Sequence, residues 1–323
     1  MTPCRRLFMK LGFGVALLLP LTAETQERYP NRPVTLMVAA DAGSSLDLLG
    51  RAFGDALKSA LGQSVVVQNV PGATANGLVR LHGAKPDGYT LGVVGSFAIT
   101  MPLSGEVPFG PKDLSYLAYL ANDTFVLAVP ASSPYRTLRD YMAAGTGVVP
   151  AVVVGVSGRG TLSHVAAASM AQVGAMNLSI VPSAGSMASL RGILDSRLAS
   201  AILVQSELVP HLGPGRGPRV LATFGDIRSA RLTDIPTAQE QNMSGLPSGP
   251  WRGLAGPPGL PQPIRAALVT AITKAYEDPQ WKAFVQRQAL TGSLRTGAEL
   301  ERYLEGETGA LRLTMQSLGL LAR

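Results

Sequence analysis

Short apolar runs rich in β-branched residues alternate with amphipathic stretches along most of the chain. The apolar runs predict strands at Val34–Ala39, Ser64–Gln68, Leu91–Gly95, Phe125–Val129, Ala151–Val156, Leu178–Val181, Leu198–Val204 and Val220–Phe224. Strands that alternate with helices in this way are typical of a mostly parallel sheet whose faces are covered by helices. The hydrophobic pattern therefore predicts an α/β fold.

Helical periodicity is clearest after the first predicted strand and near the C-terminal end. The first predicted helix carries its apolar residues on one face: Leu46, Leu49, Phe53, Leu57 and Ala60. Gly62 is placed to end this helix as its C-cap. Three later helices are predicted over Pro263–Tyr276, Pro279–Ala289 and Ala298–Leu318. Their apolar stripes and charged outer faces indicate packing helices, to which we assign no chemistry.

The predicted elements fall into two sets, which indicates two lobes. The second set begins with Phe125–Val129, and Pro/Gly-rich segments at Gly213–Pro218 and Leu246–Pro263 interrupt the chain. A chain of 323 residues is long enough for two units of ordinary domain size, each with its own core.

The first residues have the pattern of a signal peptide. Arg5, Arg6 and Lys10 precede an apolar run, Leu11–Leu21, that is shorter than the roughly 20 residues needed to cross a bilayer. A small-residue site follows, suited to cleavage after Ala23. We therefore expect residues 1–23 to be removed on export to the periplasm. The adjacent arginines resemble a twin-arginine motif, and the Sec route remains an alternative.

Charge and composition exclude several classes of function. The formal net charge of +7 includes Arg5, Arg6 and Lys10, and the remaining charge is spread without a basic block. It fits an anionic ligand and, equally, a mildly basic solvated surface. With 6% aromatic residues and no basic stripe, the chain is not expected to bind nucleic acid. Cys4 precedes the apolar run, so the exported chain would have neither a disulfide nor thiolate chemistry.

Motifs for catalysis are not found in the sequence. Gly155–Arg159 is not a nucleophile elbow, because Arg159 stands where the last glycine is required. His82, His164 and His211 are scattered, without the spacing of metal ligands. We therefore expect a protein that is not an enzyme and that uses neither a cofactor nor a metal.

Several short segments, in a fixed order, carry a family resemblance. They are Tyr29–Pro33, Asp41–Asp47, Val70–Gly72, Lys85–Leu91, Thr161–His164, Pro182, Gly185–Ser186, Pro210–His211, Asp234–Thr237, Trp251, Gly253, Ala255 and Pro257. Together they resemble the substrate-binding receptors of tripartite tricarboxylate transporters, also called Bug receptors. The resemblance covers nearly all of the chain after Tyr29.

This resemblance implies a two-lobed, periplasmic-binding-protein-like fold. Each lobe would be a mostly parallel sheet flanked by helices, with the ligand in the cleft and two crossover strands between the lobes. By analogy, residues 24–126 and 251–323 form the first lobe, and residues 127–250 form the second. We expect the hinge at Phe125–Val129 and Trp251–Pro257, and closure of the lobes on the ligand.

The loop after the first strand is predicted to bind a carboxylate. Ligands of open α/β sheets lie beyond the carboxyl ends of strands, where helix N-termini attract anions. Gly43 would allow a close backbone approach, and two serine hydroxyls could donate hydrogen bonds. The predicted contacts are Asp41, Ala42, Gly43, Ser44 and Ser45. Asp47 either accepts a hydrogen bond from the ligand or caps the helix.

A second loop, Ser157–Thr161, would face the first one across the cleft. Its predicted contacts are Arg159, Gly160, Thr161, Ser163 and His164, although a lone histidine is more often structural. We expect Arg159 to reach a ligand carboxylate with its planar fork, the alternative being a solvent-facing arginine. Secondary contacts are expected from Gly95, Ser96, Ser183, Gly185 and Ser186.

Several departures from the family pattern, Asp41 and Leu203 among them, predict altered specificity. The usual three glycines followed by threonine are here Gly43, Ser44, Ser45 and Leu46. Arg252 follows Trp251, where an aromatic residue is common in the family.

The resemblance implies a monomeric solute-binding protein that delivers a small organic carboxylate to the membrane subunits of a transporter. The alternative is a sensor that presents its ligand to a membrane signalling protein, and neighbouring genes would distinguish the two.

Overall fold

The computed structural model describes residues 29–72, 74–147, 151–213 and 217–322, and the predicted signal peptide lies outside these ranges. Within them the strands are β1 (Val34–Val38), β2 (Val65–Asn69), β3 (Thr90–Gly95), β4 (Ser115–Asn122), β5 (Phe125–Val129), β6 (Val152–Val156), β7 (Leu178–Pro182), β8 (Ser200–Val204), β9 (Arg219–Thr223) and β10 (Trp251–Gly256). The helices are α1 (Ser45–Leu61), α2 (Thr74–His82), α3 (Phe97–Leu103), α4 (Leu138–Gly145), α5 (Leu162–Val173), α6 (Ser186–Leu194), α7 (Gln205–Leu208), α8 (Gln262–Tyr276), α9 (Pro279–Gln288) and α10 (Gly297–Ser317). Short 3-10 helices lie at Val209–His211 and Gln239–Gln241.

The strands of the described residues form two sheets with the same plan. The first sheet has the order β2-β1-β3-β10-β4, and the second has the order β7-β6-β8-β5-β9. In the first, β1 is parallel to β2 and β3, whereas β10 is antiparallel to β3 and β4. In the second, β6 is parallel to β7 and β8, whereas β5 is antiparallel to β8 and β9. The two-lobed α/β prediction is confirmed, with mixed sheets; we call the units built on the two sheets the first and second lobes.

The chain crosses between the lobes twice, along neighbouring segments. The first crossing is Asp123 and Thr124, between β4 and β5. The return segment lies beside it, because the amide of Asp123 donates to Pro250 O at 3.0 Å and that of Phe125 donates to Ser248 O at 2.9 Å. The crossings therefore come just before β5 and β10, which we had expected to be the hinge itself.

The buried strand β5 explains this difference. All five of its residues are buried, because it lies between β8 and β9 inside the second sheet. The expected lobe boundary after residue 126 consequently falls within β5. In the same way β10 is buried along its whole length between β3 and β4. Strand β4, which the hydrophobic pattern did not predict, is an apolar run buried on both faces and has no period-2 signal.

Helix α1 joins the first sheet to the C-terminal helices. Its predicted apolar face is buried apart from the half-buried Ala60, and Gly62 ends it in a left-handed conformation with φ 65°, donating to Lys58 O as expected. Phe53, on this face, makes an edge-to-face contact with Trp281 of α9, with ring centroids 4.9 Å apart. Among the described residues, no helix combines the length and apolar character that crossing a membrane requires.

Candidate functional site

A cavity of about 90 Å³ lies between the two lobes. Loops that follow strands β1, β6 and β7 line it, together with strand β8 and helix α7. Seven of the sequence-predicted residues are among its lining: Asp41, Ser44, Ser45, Thr161, Ser163, Gly185 and Ser186. The lining also includes apolar side chains, among them Leu46, Phe97, Phe125, Leu162, Met187 and Ile202.

The N-terminus of α1 forms the first polar wall. Ser44 is the N-cap, and its Oγ accepts from the amide of Asp47 at 3.3 Å. Gly43 has φ 82°, which allows the chain to turn sharply into the helix. Ser44 and Ser45 are buried, whereas Ala42 and Gly43 are exposed and do not line the cavity. This wall therefore presents the first turn of the helix, where backbone N–H groups attract anions.

Asp47 supports this loop from behind. Its carboxylate accepts from the amide of Gly43 at 2.9 Å, from Asn69 Nδ2 at 2.9 Å and from Arg51 Nε at 3.0 Å. Burial raises the pKa of Asp47, but the hydrogen bonds from Arg51, Gly43 and Asn69 outweigh it and leave the pKa below its usual value. Asp47 does not line the cavity and is not the N-cap, which is Ser44; its carboxylate holds the loop that precedes the helix.

Three hydroxyls form the second polar wall, at the N-terminus of α5. Ser157 Oγ lies 2.8 Å from Ser163 Oγ and 3.2 Å from Thr161 Oγ1, and the last two atoms are 2.9 Å apart. All three residues line the cavity. Thr161 is the N-cap residue, although its hydroxyl donates to Gly158 O and makes no capping bond. We call Ser157, Thr161 and Ser163 the hydroxyl cluster.

Arg159 lies at the mouth of the cleft and not among the cavity-lining residues. Its side chain is 71% exposed, and its Nε is 3.9 Å from Glu106 Oε1 of the first lobe. The neighbouring Gly160 amide donates to His164 Nδ1 at 3.3 Å. Burial, and secondarily the charge of Arg159, lower the pKa of His164. Arg159, Gly160 and His164 therefore make their contacts at the cleft mouth and do not line the cavity.

Removing the Arg159 side chain is expected to have a small effect. Arg159→Ala should change ligand affinity by less than about fivefold, because an exposed ion pair contributes roughly 0–1 kcal/mol. Isothermal titration calorimetry on the parent and the variant measures this difference, with thermal melting to check the fold. A loss of more than about a hundredfold in a folded variant would mean that the guanidinium contacts the ligand.

Three other predicted residues build the walls instead of lining the cavity. Ser96 is fully buried, and its Oγ accepts from the amide of Trp251 at 3.2 Å. An added Cβ at Gly95 would collide with Trp251 O, so the glycine permits this strand contact. Ser183 Oγ accepts from Ser189 Oγ at 2.9 Å. Gly185, which does line the cavity, is the N-cap of α6 with φ 107°.

Sequence reasoning missed Glu207 of α7, which lines the cavity. Its Oε1 accepts from the amide of Ser45 at 2.9 Å and from Ser186 Oγ at 2.8 Å, so one carboxylate joins the two lobes. The residue is 6% exposed, and its Oε2 is buried with no hydrogen-bond partner among the described residues. The signal was an acidic residue three positions after Val204, the apolar end of β8.

Arg252 is the cavity-lining arginine. It is 8% exposed on β10, and its Nη2 donates to Ser45 Oγ at 3.5 Å. Burial lowers the pKa of Arg252, while the charges of Asp123 and Glu207 act in the opposite direction. The sequence did contain a signal for this contact, because Arg252 is a charged residue inside the apolar run of β10. We had used Arg252 only to predict altered specificity.

Asp123, at the first crossing between the lobes, completes a buried charged group. Its Oδ1 accepts from the amide of Thr124 at 2.8 Å, and its Oδ2 accepts from Ser206 Oγ. Burial raises the pKa of Asp123 to about 6, against the opposing charge of Arg252. We call Asp123, Glu207 and Arg252 the charged cluster.

The described residues contain no group of three or more His, Cys, Asp or Glu side chains placed to hold a metal ion. The cavity instead combines hydrogen-bond donors from two helix N-termini, one buried arginine, one buried glutamate and an apolar wall. Such a lining suits a small polar ligand with an anionic group.

Comparison with known proteins identifies the family. A Cupriavidus necator protein, the UPF0065 protein in gbd 5'region, is 31% identical over 260 residues, or 79% of this chain and 78% of that protein. The periplasmic binding protein BugD has the same fold, with a TM-score of 0.84, 20% identity, and coverage of 91% of this chain and 100% of BugD. R. palustris Rpa4515, solved with adipate, gives a TM-score of 0.83 and 23% identity over 90% of this chain and 98% of that chain.

The family model described as tripartite tricarboxylate transporter family receptor matches residues 49–319. That range includes α1 from Leu49 onward, the hydroxyl cluster, the charged cluster and all three C-terminal helices, α8, α9 and α10. The family consists of solute-binding receptors and not of enzymes. This chain therefore belongs to the tripartite tricarboxylate transporter receptor family.

Proposed function

We propose that this chain is a monomeric solute-binding protein that captures a small organic carboxylate in the cavity between its lobes. The observation that carries the proposal is the meeting of two helix N-termini, the hydroxyl cluster and Arg252 around one cavity. Hydroxyl and guanidinium donors suit carboxylate oxygens, and the helix dipoles add favourable potential. The adipate in the structure of Rpa4515 supports the same ligand class.

The size of the cavity limits the ligand. A volume of about 90 Å³ corresponds to roughly seven water-sized spheres, at about 10–15 Å³ for each. Small organic carboxylates are of this size. We propose that the protein, exported by its predicted signal peptide, carries such a ligand through the periplasm to the membrane subunits of a tripartite tricarboxylate-type transporter.

A thermal shift screen followed by calorimetry tests the binding step. A saturating carboxylate at a hundred times its Kd should stabilise the fold by about 2.7 kcal/mol, or about 5 °C in Tm. The panel contains mono- and dicarboxylates, amino acids and aromatic acids, with neutral sugars as the control. A Tm that no acid changes, together with a rise caused by a sugar, would refute carboxylate binding.

Transport is tested in cells. Deleting the gene should abolish high-affinity uptake of the carboxylate that calorimetry identifies, and expression of the parent chain should restore it. Uptake that is unchanged by the deletion, together with loss of a transcriptional response to the same ligand, would instead support the sensor alternative.

A further inference from the structure

The N-terminus of α1 already has a carboxylate of the protein bound to it. The amide of Ser45 donates to Glu207 Oε1 at 2.9 Å, and the same oxygen accepts from Ser186 Oγ, at the start of α6, at 2.8 Å. Three other amides of residues 43–47 donate to oxygen atoms of residues 41–47. Glu207 therefore occupies the place at α1 where a ligand anion would otherwise bind.

The N-terminus of α5, in the second lobe, is open by comparison. Among the described residues, the amides of Leu162 and Ser163 have no hydrogen-bond acceptor, and the first turn of this helix contains no acidic side chain. The hydroxyl cluster lies beside these amides and lines the cavity. A ligand carboxylate there would meet N–H groups, hydroxyls and the positive end of the helix dipole.

The first-lobe side of the cavity has more negative than positive charge. The charge of Arg252 is opposed by those of Asp123 and Glu207, which are both buried. Asp41 adds a half-buried acidic side chain to the lining. A second ligand carboxylate near α1 would lose its hydration beside these acids, and the one buried arginine is already shared between two of them.

The rest of the lining suits a hydrocarbon tail. Apolar side chains of both lobes contribute to it, Leu46 and Phe97 from the first lobe and Phe125, Leu162 and Ile202 from the second. Each CH₂ group that a ligand buries against such a surface improves affinity by about fourfold. The cavity thus offers one open place for an anion and an apolar wall for the remainder of the ligand.

Building on the proposed function, we propose that the ligand is a small monocarboxylate with an uncharged aliphatic tail. Its carboxylate accepts from the first amides of α5 and from the hydroxyl cluster, and its tail packs against the apolar lining. Glu207 discriminates against a second carboxylate, because it holds the N-terminus of α1 with a charge of the same sign.

Isosteric ligand pairs test this ligand class on the parent protein. Each pair exchanges one carboxylate for an isopropyl group of similar size: malonate with isovalerate, succinate with isocaproate, and glutarate with 5-methylhexanoate. In calorimetry near neutral pH, the monocarboxylate of the pair whose length fits should bind at least about tenfold more tightly. A dicarboxylate that binds as tightly as its monocarboxylate counterpart, or more tightly, would overturn the inference and leave the proposed function intact.

The variant Glu207→Gln assigns the selectivity to one carboxylate. A glutamine can still accept from Ser45 and Ser186 through its Oε1, so the lobe contact is retained while the negative charge is removed. The preference for the monocarboxylate should fall at least about fivefold, mainly because the dicarboxylate binds more tightly. Glu106→Gln, an acid-to-amide change at the cleft mouth outside the cavity lining, is the matched control and should leave the preference within about twofold.

The outcomes separate the two proposals. An unchanged preference in folded Glu207→Gln would overturn the role of Glu207, and the isosteric pairs on the parent decide the ligand class even where the variant fails to fold. Binding of another acid by a parent that binds none of the three monocarboxylates would refute this inference alone. If no acid of the wider panel bound to the parent, the proposed function would fall together with it.

Discussion

Replacing Arg252 by methionine is expected to lower the free energy of unfolding by about 3–5 kcal/mol, the typical cost of breaking a buried charged group by removing one partner. Arg252 is 8% exposed, and its guanidinium opposes the negative charges of Asp123 and Glu207. Methionine keeps much of the volume but leaves both carboxylates buried without a compensating charge. Urea unfolding of the ligand-free protein measures the loss.

A double variant and a surface variant serve as controls for Arg252. Asp123→Asn combined with Arg252→Met should recover at least half of the lost stability, because one of the two uncompensated charges is removed. Arg265→Met, at a more exposed arginine with a 3.5 Å ion pair to Glu301, should change the free energy of unfolding by less than about 1 kcal/mol. Equal losses in Arg252→Met and Arg265→Met would show that the charged cluster has no special role.

Gly160→Ala is expected to weaken ligand binding about tenfold to a hundredfold, by hindering closure of the lobes. Gly160 is buried in the second lobe, with φ 68°, and an added Cβ would collide with Ser104 Oγ and lie 2.8 Å from Glu106 Cγ in the first lobe. Such overpacking costs typically 1–3 kcal/mol, and it is relieved only if the Ser104 and Glu106 side chains rotate or the lobes separate. Calorimetry gives the affinity, and small-angle scattering with ligand should show a larger radius of gyration than for the liganded parent.

The control separates steric hindrance from backbone strain. Gly62 has φ 65°, nearly the same as Gly160, but an added Cβ there meets no atom within 4 Å. Gly62→Ala should therefore lower the free energy of unfolding by about 1–2 kcal/mol, the cost of a non-glycine residue in this backbone conformation. It should not weaken ligand binding. Adding Ser104→Ala and Glu106→Ala to Gly160→Ala should restore much of the affinity. If Gly62→Ala weakened binding as much as Gly160→Ala, closure would not explain the effect.

Local pattern was enough to predict most of the secondary structure. Every strand predicted from the hydrophobic pattern lies within two residues of an observed one, since apolar periodicity reports which residues a local element buries. The end of α1 was also predictable, because the left-handed conformation of Gly62 has a local cause. Strand β4 was missed because its sequence contains no β-branched residue, whereas the equally buried β5 has two valines.

The candidate site was predictable only as far as it depends on loops at the carboxyl ends of strands. Ser44, Ser45, Thr161 and Ser163 line the cavity, since each helix N-terminus follows a parallel strand at the carboxyl edge of its own sheet and the cavity lies between the two. Arg159 was chosen from the same kind of loop, yet its side chain extends to solvent at the cleft mouth. Loop position does not determine the direction of a long side chain, which depends on what the other lobe presents.

By itself the sequence determined the two α/β units, their order, the family and the loops at the cleft, because periodicity, turns and motifs are local properties. Tertiary structure alone decided which charges meet in the cavity. Antiparallel insertion of β10 places Arg252 between Gly95 of β3 and Ala121 of β4. The first crossing brings Asp123 to the same place, and α7 brings Glu207 there from the second lobe. Such contacts between distant parts of the chain depend on strand register and lobe closure, which no local pattern encodes.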